Sequence, residues 1–254
     1  MIRLRNGDIM KRTFNSVAGI SILTIYSALY SAKAQGSFQN LNFESATGLG
    51  SPQEPYPNLV PAGSALPGWT AYLGTVQVTQ VGYNAPANST ASITLIGPTW
   101  NSSDTSLFRI GIIDGDYSVD LQTGANPLGG EPGLISASIE QNGTVPGNAE
   151  SLQFEALETT PLTVTFNGNV LSPIALSSAV SPDGLPYTLY GANISAWAGQ
   201  TGELEFTADQ VDENYVVLDD ITFSPNSVPE PTTLTLVLMG GVALAARRWR
   251  TKRA

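Results

Sequence analysis

The sequence predicts an all-β protein: an antiparallel β-sandwich of the jelly-roll type, flanked by an N-terminal signal helix and a C-terminal transmembrane helix. Between residues 36 and 225, short apolar runs are separated by Gly, Pro and Asn, without a convincing helical period. An apolar stretch lies near each end of the chain, and basic residues adjoin both stretches. A chain of 254 residues is long enough for one large β domain.

The first apolar stretch indicates a secretory signal peptide over residues 1–34. Two basic residues precede an apolar run over residues 14–30, and Ala32-Lys33-Ala34 has the small-x-small pattern of a cleavage site. We expect signal peptidase to cut directly after this motif. The alternative is a stable N-terminal membrane anchor, and either Met1 or Met10 is the start residue.

Residues 35–224 are predicted to form the β-sandwich domain. About eleven β-type runs follow one another at roughly the 8–12-residue spacing that sandwiches show. They include FQNLNF (38–43), LFRIGII (107–113) and LTVTF (162–166). Asn-Gly pairs at 142–143 and 167–168 predict two hairpin turns, because this pair adopts the tight turn that hairpins need.

The predicted domain is strongly acidic. From Gln35 to Pro231, Arg109 is the single basic residue beside 20 of the 21 acidic residues, which gives this segment a formal charge of −19. Such a surface does not bind nucleic acid by neutralising phosphates. It suits an extracellular protein or one that collects Ca²⁺, and solubility alone explains many of the carboxylates.

The composition also excludes the catalytic systems that depend on Cys or His. The chain has no Cys and no His, so Ser-His-Asp and Cys-His nucleophiles and imidazole metal sites are absent. No P-loop, nucleophile elbow or metalloprotease motif occurs. We therefore predict that the protein is not an enzyme. A glycosidase that uses two carboxyl groups is the least favoured alternative, because so many acidic residues form pairs by chance.

Four aromatic residues are candidates for stacking on sugar rings. Tyr56, Tyr72, Tyr83 and Trp100 lie in or beside predicted loops, and their rings combine an apolar face with a polar group. Each ring alone could equally anchor a loop, so they would matter only as a patch. We expect Trp69, which follows Pro67-Gly68, to pack in the core.

Three motifs give the body a resemblance to galactose-binding-like jelly rolls, including several carbohydrate-binding modules. They are LNFES (41–45), PGW (67–69) and VVLDDITF (216–223). The resemblance implies a structural Ca²⁺ between the first and last strands, with Glu44 and either Asp219 or Asp220 among its oxygen ligands. Neighbouring strand residues face opposite ways, so one Asp of the pair should point at the metal. Alternatively, Asp220 binds no metal and only caps or forms hydrogen bonds with a loop.

The second apolar stretch indicates a transmembrane helix over residues 232–246. Its 15 uncharged residues give roughly 22 Å of helix, short of the ~30 Å hydrocarbon core, and flanking arginine stems complete the span. Residues 225–231 form the linker before it. The basic residues 247–254 should stay in the cytoplasm by the positive-inside rule, which leaves the acidic body outside.

This tail resembles a PEP-CTERM sorting signal. Val228-Pro229-Glu230-Pro231, the apolar helix and the cluster that contains Arg247, Arg248 and Arg250 occur in that order over about 27 residues. The resemblance implies that exosortase, a membrane enzyme similar to cysteine proteases, recognises the Pro-Glu-Pro and removes the tail. It implies export through an inner-membrane-anchored precursor to the cell surface or extracellular matrix, with exopolysaccharide as a candidate partner.

The tail does not define the function of the body, so three hypotheses stay open. The favoured one is a non-catalytic module that binds glycan or other matrix components. The second is a purely structural envelope protein without a small ligand. The third is the glycosidase-like enzyme.

Overall fold

The computed structural model describes residues 37–50, 58–87, 89–100, 110–129, 133–182, 184–210 and 214–228. Besides the short helix α1 (Ala62–Ala65) and a 3-10 turn (Ser195–Trp197), the regular elements of these residues are strands. The strands are β1 (Leu59–Pro61), β2 (Thr70–Leu73), β3 (Val76–Val78), β4 (Gln80–Tyr83), β5 (Ser92–Ile96), β6 (Ser118–Gln122), β7 (Gly124–Ala125), β8 (Leu134–Ile135), β9 (Ala137–Thr144), β10 (Ser151–Glu158), β11 (Leu162–Phe166), β12 (Asn169–Val170), β13 (Ile174–Val180), β14 (Pro186–Asn193), β15 (Thr201–Ala208) and β16 (Tyr215–Ser224).

The strands form two large sheets and one small one. The eight-stranded sheet has the order β1-β4-β5-β6-β16-β10-β14-β13, and the six-stranded sheet has the order β12-β11-β15-β9-β2-β3. Strands β7 and β8 make a separate pair. Neighbours are antiparallel except β4 and β5, which run parallel with Gly82 opposite Thr94. The all-β prediction is confirmed, and the jelly-roll type stays a prediction.

The core lies between the two large sheets, and aromatic rings cross it. Phe154 of β10 packs edge-on against Phe206 of β15, with ring centroids 5.3 Å apart. Phe206 contacts Trp69 at 6.2 Å, and Trp69 contacts Phe43 at 5.8 Å. Burying each such ring stabilises the fold by about 1.5–3 kcal/mol. The indole of Trp69 also donates a hydrogen bond to the Asn40 carbonyl at 3.0 Å, so its predicted place in the core is confirmed.

A second apolar cluster covers part of the outer face of the eight-stranded sheet. Its buried members are Ile96, Ile110, Ile113, Leu157, Leu185, Tyr215 and Val217, with Trp100 packed against them. LFRIGII was predicted as a strand. Its described part, Ile110–Ile113, is not one, because these residues fold over the sheet instead of pairing within it.

The first predicted strand, FQNLNF, is also wrong. Residues 38–43 form turns and irregular backbone, because Asn40 and Phe43 have left-handed φ angles of 49° and 57°. Phe38, Leu41 and Phe43 nevertheless point into the core. The segment therefore contributes apolar side chains without forming a strand.

The last strand contains a β-bulge. Gln153 of β10 lies opposite Thr222, but Glu155 lies opposite Asp219, so β16 carries one extra residue here. Asp220 has a φ of 39°, and the next amide, of Ile221, bonds the Leu41 carbonyl at 2.9 Å. The strict alternation expected for the Asp219-Asp220 pair does not hold at this bulge.

The two predicted Asn-Gly hairpins had different outcomes. Asn167 and Gly168 join β11 to β12 with φ angles of 50° and 71°, which fits a type I′ turn. Asn142 and Gly143 lie instead inside β9 and pair with β15, so that hairpin is wrong. The signal peptide and the transmembrane helix lie outside the described residues, and no helix within those residues is long and apolar enough to cross a bilayer.

Candidate functional site

Glu44 holds a turn that precedes β6. One oxygen of its carboxylate, Oε1, accepts hydrogen bonds from the backbone amides of Asp116 and Tyr117, at 2.8 and 3.0 Å. Gly115 has a φ of 62°, and a Cβ there would overlap the same oxygen. Position 115 therefore needs glycine for its backbone conformation, and glycine also leaves space for the Glu44 carboxylate.

Asp219 holds the same turn from the eight-stranded sheet. Its Oδ2 accepts from the Ser118 hydroxyl at 2.6 Å and the Asp114 amide at 3.3 Å, and its Oδ1 accepts from the Asp220 amide at 2.7 Å. Burial raises the pKa of Asp219 to about 8, although these hydrogen bonds favour the carboxylate and act against the shift. Glu44, near the start of the domain, and Asp219, in the last strand, are thus connected through the turn between Asp114 and Ser118.

These residues do not form a metal cage in the structure. Oε1 of Glu44 and both oxygens of Asp219 already accept hydrogen bonds from N–H or O–H groups. A calcium ion takes six to eight oxygen ligands, whereas no three acidic side chains converge on a metal position in the part of the chain that the structure describes. Asp220 is half-buried at the bulge. Structural calcium at Glu44, Asp219 and Asp220 stays a prediction.

The six-stranded sheet presents a polar surface opposite the core, which we call the open face. In β2, β9, β11 and β15, buried core residues alternate with half-buried or exposed polar ones. The register brings the polar residues of neighbouring strands side by side, for example Glu140 opposite Glu205 and Asn142 opposite Glu203. The open face comprises Tyr72, Glu140, Asn142, Thr163, Thr165, Glu203, Glu205 and Thr207.

Tyr72 is the aromatic member of the open face. Its hydroxyl donates a hydrogen bond to Oε1 of Glu140 at 2.9 Å. This bond is the main cause that raises the pKa of Tyr72, followed by burial and the negative charges nearby. The hydrogen bond fixes the end of the ring, and a fixed aromatic ring loses little entropy when a ligand stacks on it.

The open face has a negative potential. Burial raises the pKa of Glu203, and the charges of Glu140 and Glu205 raise it further. The described residues contain no Lys, Arg or His to balance these carboxylates. The arrangement can accept hydrogen bonds from hydroxyl and amino groups, and it repels anions.

Two of the other predicted sugar-binding rings, Tyr83 and Trp100, do not lie near Tyr72. Tyr83 is only 5% exposed and packs in the core. Trp100 packs on the second apolar cluster, on the other sheet, and its indole donates to the Ile110 carbonyl at 2.9 Å. Tyr56 lies outside the described residues. Among the three predicted rings that the structure describes, Tyr72 is therefore the one that adjoins the open face.

Sequence reasoning missed the three glutamates of this surface. Glu203 and Glu205 alternate with apolar residues in the run ELEFTA, which was an available signal that both face outward. No local pattern in the sequence indicates that Glu140 contacts Tyr72. Their contact depends on the pairing of β2 with β9, two strands separated by more than 60 residues.

The C-terminal tail gives the firmest similarity to known proteins. Residues 227–253 match the PEP-CTERM protein-sorting motif, which confirms the predicted sorting signal. The motif implies export, a membrane-anchored precursor and processing by exosortase. Val228 is the last described residue, and its side chain lies over Gly191 of β14. Pro229, Glu230, Pro231 and the arginine cluster lie outside the described residues.

Comparison with known folds found distant similarities, and a search of curated proteins found no match. The carbohydrate-binding module TmCBM61, in complex with β-1,4-galactotriose, has a TM-score of 0.38 and 12% identity over 75% of this chain and 98% of its own. A family 11 carbohydrate-binding module from Clostridium thermocellum, with a mixed-linked tetrasaccharide, has a TM-score of 0.34 and 8% identity over 68% and 96%.

The third similarity is to an enzyme. The enzymatically active domain of bacteriophage CBA120 tailspike protein 4 has a TM-score of 0.33 and 14% identity, over 72% of this chain and 21% of the tailspike chain. At such TM-scores, none of the three proteins identifies a binding or catalytic residue in this chain.

Proposed function

We propose that this protein is exported through its PEP-CTERM signal and that its sandwich binds glycan, without catalysis, on the open face. The observation that carries the proposal is the position of Tyr72. Its ring lies among carboxylate, amide and hydroxyl groups on one continuous sheet surface. Sugar rings need both parts, an aromatic face for their C–H groups and polar partners for their hydroxyls.

The charge of this surface defines the glycan class. Three glutamates lie on the open face, and no described residue carries a positive charge. Neutral polysaccharides, or those with amino sugars, can therefore bind directly, because their hydroxyl and ammonium groups donate to carboxylates. An acidic exopolysaccharide would need bridging cations. In this role the protein would be a matrix or surface component that contacts the polysaccharide outside the cell.

A glycan-array screen of the full chain tests the proposal, followed by affinity measurements on the best neutral glycan. We expect Tyr72→Ala to weaken binding at least tenfold and Tyr72→Phe to weaken it less, because the second variant keeps the ring. Tyr190→Phe is a matched control, since Tyr190 also donates to a glutamate, Glu158, at 2.9 Å but lies on the other sheet. Equal binding by Tyr72→Ala would refute the open-face site.

The same samples test the alternatives. If the folded chain binds no glycan on the array, the purely structural hypothesis is favoured. If new reducing ends appear during incubation with the bound glycan, and Glu203→Gln abolishes them, the protein is a glycosidase and the non-catalytic proposal is wrong.

A further inference from the structure

The linker before the sorting tail is fastened to one edge of the eight-stranded sheet. The Ser151 hydroxyl donates a hydrogen bond to the Asn226 carbonyl at 2.8 Å. Two residues further, Val228 is half-buried over Gly191 of β14. A Cβ at Gly191 would lie 2.5 Å from Cγ1 of Val228 and 2.8 Å from Cδ1 of Leu176, which belongs to the edge strand β13. The tail therefore begins at the β13 edge of the sandwich.

The linker leaves little distance between this edge and the membrane. The sorting signal implies a membrane-anchored precursor, and the apolar segment of the signal begins at Thr232. The four residues that follow Val228 span at most roughly 14 Å when fully extended. The opposite edge strand, β1, lies seven strand spacings from β13, which is about 34 Å along the sheet. An orientation with β1 toward the bilayer would need more than twice the reach of the linker.

The side of the sandwich at the β13 edge is uncharged and partly apolar. Strands β12 and β13 are edge strands of the two large sheets, and three residues join them. We call residues 169–180 the β12–β13 side, and residues 159–182, which include it, contain no charged residue. Val170 is 68% exposed and Val180 is 66% exposed, more than the other large apolar side chains that the structure describes. A bilayer with anionic lipids does not repel such a side.

The outer face of the eight-stranded sheet, which also adjoins the linker, is acidic. Glu155 alternates with the core residues of β10 and therefore faces outward. Asp114 and Asp116 are exposed on the turn that Asp219 holds at this face. A bilayer with anionic lipids repels these carboxylates, so an orientation with the sheet flat on the membrane is disfavoured. An orientation with the β12–β13 side toward the membrane avoids this repulsion.

We infer that the β12–β13 side faces the bilayer in the membrane-anchored precursor, with Val170 and Val180 at the lipid headgroups. The inference rests on the anchoring that the sorting signal implies and is independent of glycan binding at the open face. Strands β1 to β5, on the opposite side, are uncharged as well, so the docked linker selects the side. Two valines alone bind a bilayer weakly, but the tail makes their contact intramolecular.

Energy transfer to labelled lipid headgroups tests this orientation. The chain has no Cys, so one introduced Cys takes one fluorescent label. Ser178→Cys labels β13 and Leu59→Cys labels β1, both at exposed positions on opposite edges of one sheet. The precursor is exported by a host without exosortase, which keeps the tail, and is reconstituted in nanodiscs of phosphatidylcholine and phosphatidylglycerol. We expect at least twofold more transfer from position 178 than from position 59.

Equal transfer from the two positions, or more from position 59, overturns the inference. A precursor that does not co-elute with the nanodiscs shows that the anchoring itself fails, and the inference fails with it. The glycan array distinguishes that failure from a failure of the open-face proposal, because it needs no membrane.

Two charged pairs test the contact of the valines. Val170→Glu with Val180→Glu adds negative charge to the β12–β13 side and should reduce the transfer from position 178 at least twofold. Val76→Glu with Leu128→Glu is the control, because it makes the same change at two exposed apolar residues outside this side. If both pairs reduce the transfer equally, the valines do not contact the bilayer and the inference is wrong.

Val228→Gly tests the docked linker. This variant removes the side chain that lies over Gly191 and leaves the strands of the sandwich unchanged. The melting temperature should hardly change, while the ratio of the transfer from position 178 to that from position 59 falls toward one. An unchanged ratio would show that the docked linker does not orient the domain, which overturns the inference.

Discussion

Glu44 and Asp219 hold a single turn from opposite sides. Glu44 accepts the amides of Asp116 and Tyr117, and Asp219 accepts the amide of Asp114 and the hydroxyl of Ser118. The two acidic residues are 175 positions apart in sequence and have no basic partner among the described residues. Hydrogen bonds to backbone amides therefore replace ion pairs at this junction.

Removing the Glu44 carboxylate should destabilise the fold. Glu44→Ala leaves two amides without their acceptor, which costs about 2–3 kcal/mol and several degrees of melting temperature. Glu44→Gln keeps an acceptor oxygen and should cost about half as much. Glu150→Ala, at an exposed glutamate, is the control and should stay within about 0.5 kcal/mol. If Glu44→Ala is as mild as the control, the turn is held by other contacts.

Gly115→Ala tests the space beneath Glu44. The φ of 62° costs about 1–2 kcal/mol for any L side chain, and the new Cβ must also displace the Glu44 carboxylate. Gly168→Ala separates the two effects, because Gly168 has a φ of 71° and no atom within 4 Å of the Cβ position. Urea unfolding should show a larger loss for Gly115→Ala. Equal losses would mean that the carboxylate moves aside without cost.

Stability should fall as the pH rises from about 4 to about 8. The pKa of Asp219 is about 8 in the folded state against an ordinary value of 3.8, so the folded state binds its proton more tightly. Its contribution is complete below the ordinary value and is lost as the pH rises through the folded value, on the order of 5 kcal/mol in total. Urea unfolding at pH 4.5, 6.5 and 8.5 measures this slope.

Two variants assign that slope to Asp219. Asp219→Asn does not titrate and should reduce the slope, and the part that remains belongs to the second buried acid, Asp120. Ser118→Ala removes one bond that favours the Asp219 carboxylate and should move its part of the fall to higher pH. A wild-type stability that rises over this range would contradict the prediction.

A second buried acid should destabilise the protein at neutral pH. Asp120 in β6 is fully buried, and neither of its carboxylate oxygens has a hydrogen-bond partner. Burial raises the pKa of Asp120 well above its ordinary value. Asp120→Leu removes the unpaired group and should stabilise the fold by about 1–3 kcal/mol at pH 8 and less at pH 4.5. A loss of stability at both pH values would show that the carboxyl group has a favourable role.

Calcium dependence decides whether the junction needs a metal. If hydrogen bonds alone hold the turn, the melting temperatures of the full chain in excess Ca²⁺ and in EDTA will agree within about 1 °C. A structural site filled at about 100 times its Kd would add ~2.7 kcal/mol, which a melt shows as several degrees. A rise of that size that disappears in Glu44→Ala and Asp220→Ala would support the calcium prediction instead.

The two Asn-Gly pairs show what local sequence can predict in this fold. Asn167-Gly168 makes a hairpin because both flanking segments pair with each other. Asn142-Gly143 has the same local preference but stays extended, because it pairs with β15, and Gly143 leaves room there for the Phe38 ring. That ring comes from 105 residues away, so the pair alone could not predict it.

The open face follows the same rule. Alternation within one strand predicts which side chains face outward, as it does for Glu203 and Glu205. It does not predict which strands become neighbours, and the contact of Tyr72 with Glu140 depends on that choice. The β16 bulge and the parallel arrangement of β4 and β5 likewise depend on pairing between strands, for which the sequence has no local signal.

The junction of residues 37–45 with β16 also determines when this protein can fold. Ser37 bonds Thr144, Phe38 stacks on Phe223 at 5.2 Å, and Leu41 bonds Ile221. Residues 37–45 lie near the start of the domain, whereas β16 is its last strand and comes just before the sorting tail. Because β16 pairs with both β6 and β10, the eight-stranded sheet stays incomplete until this last strand is available. For an exported chain, delivery of β16 would then be the step that permits complete folding, and the sorting tail follows this strand directly.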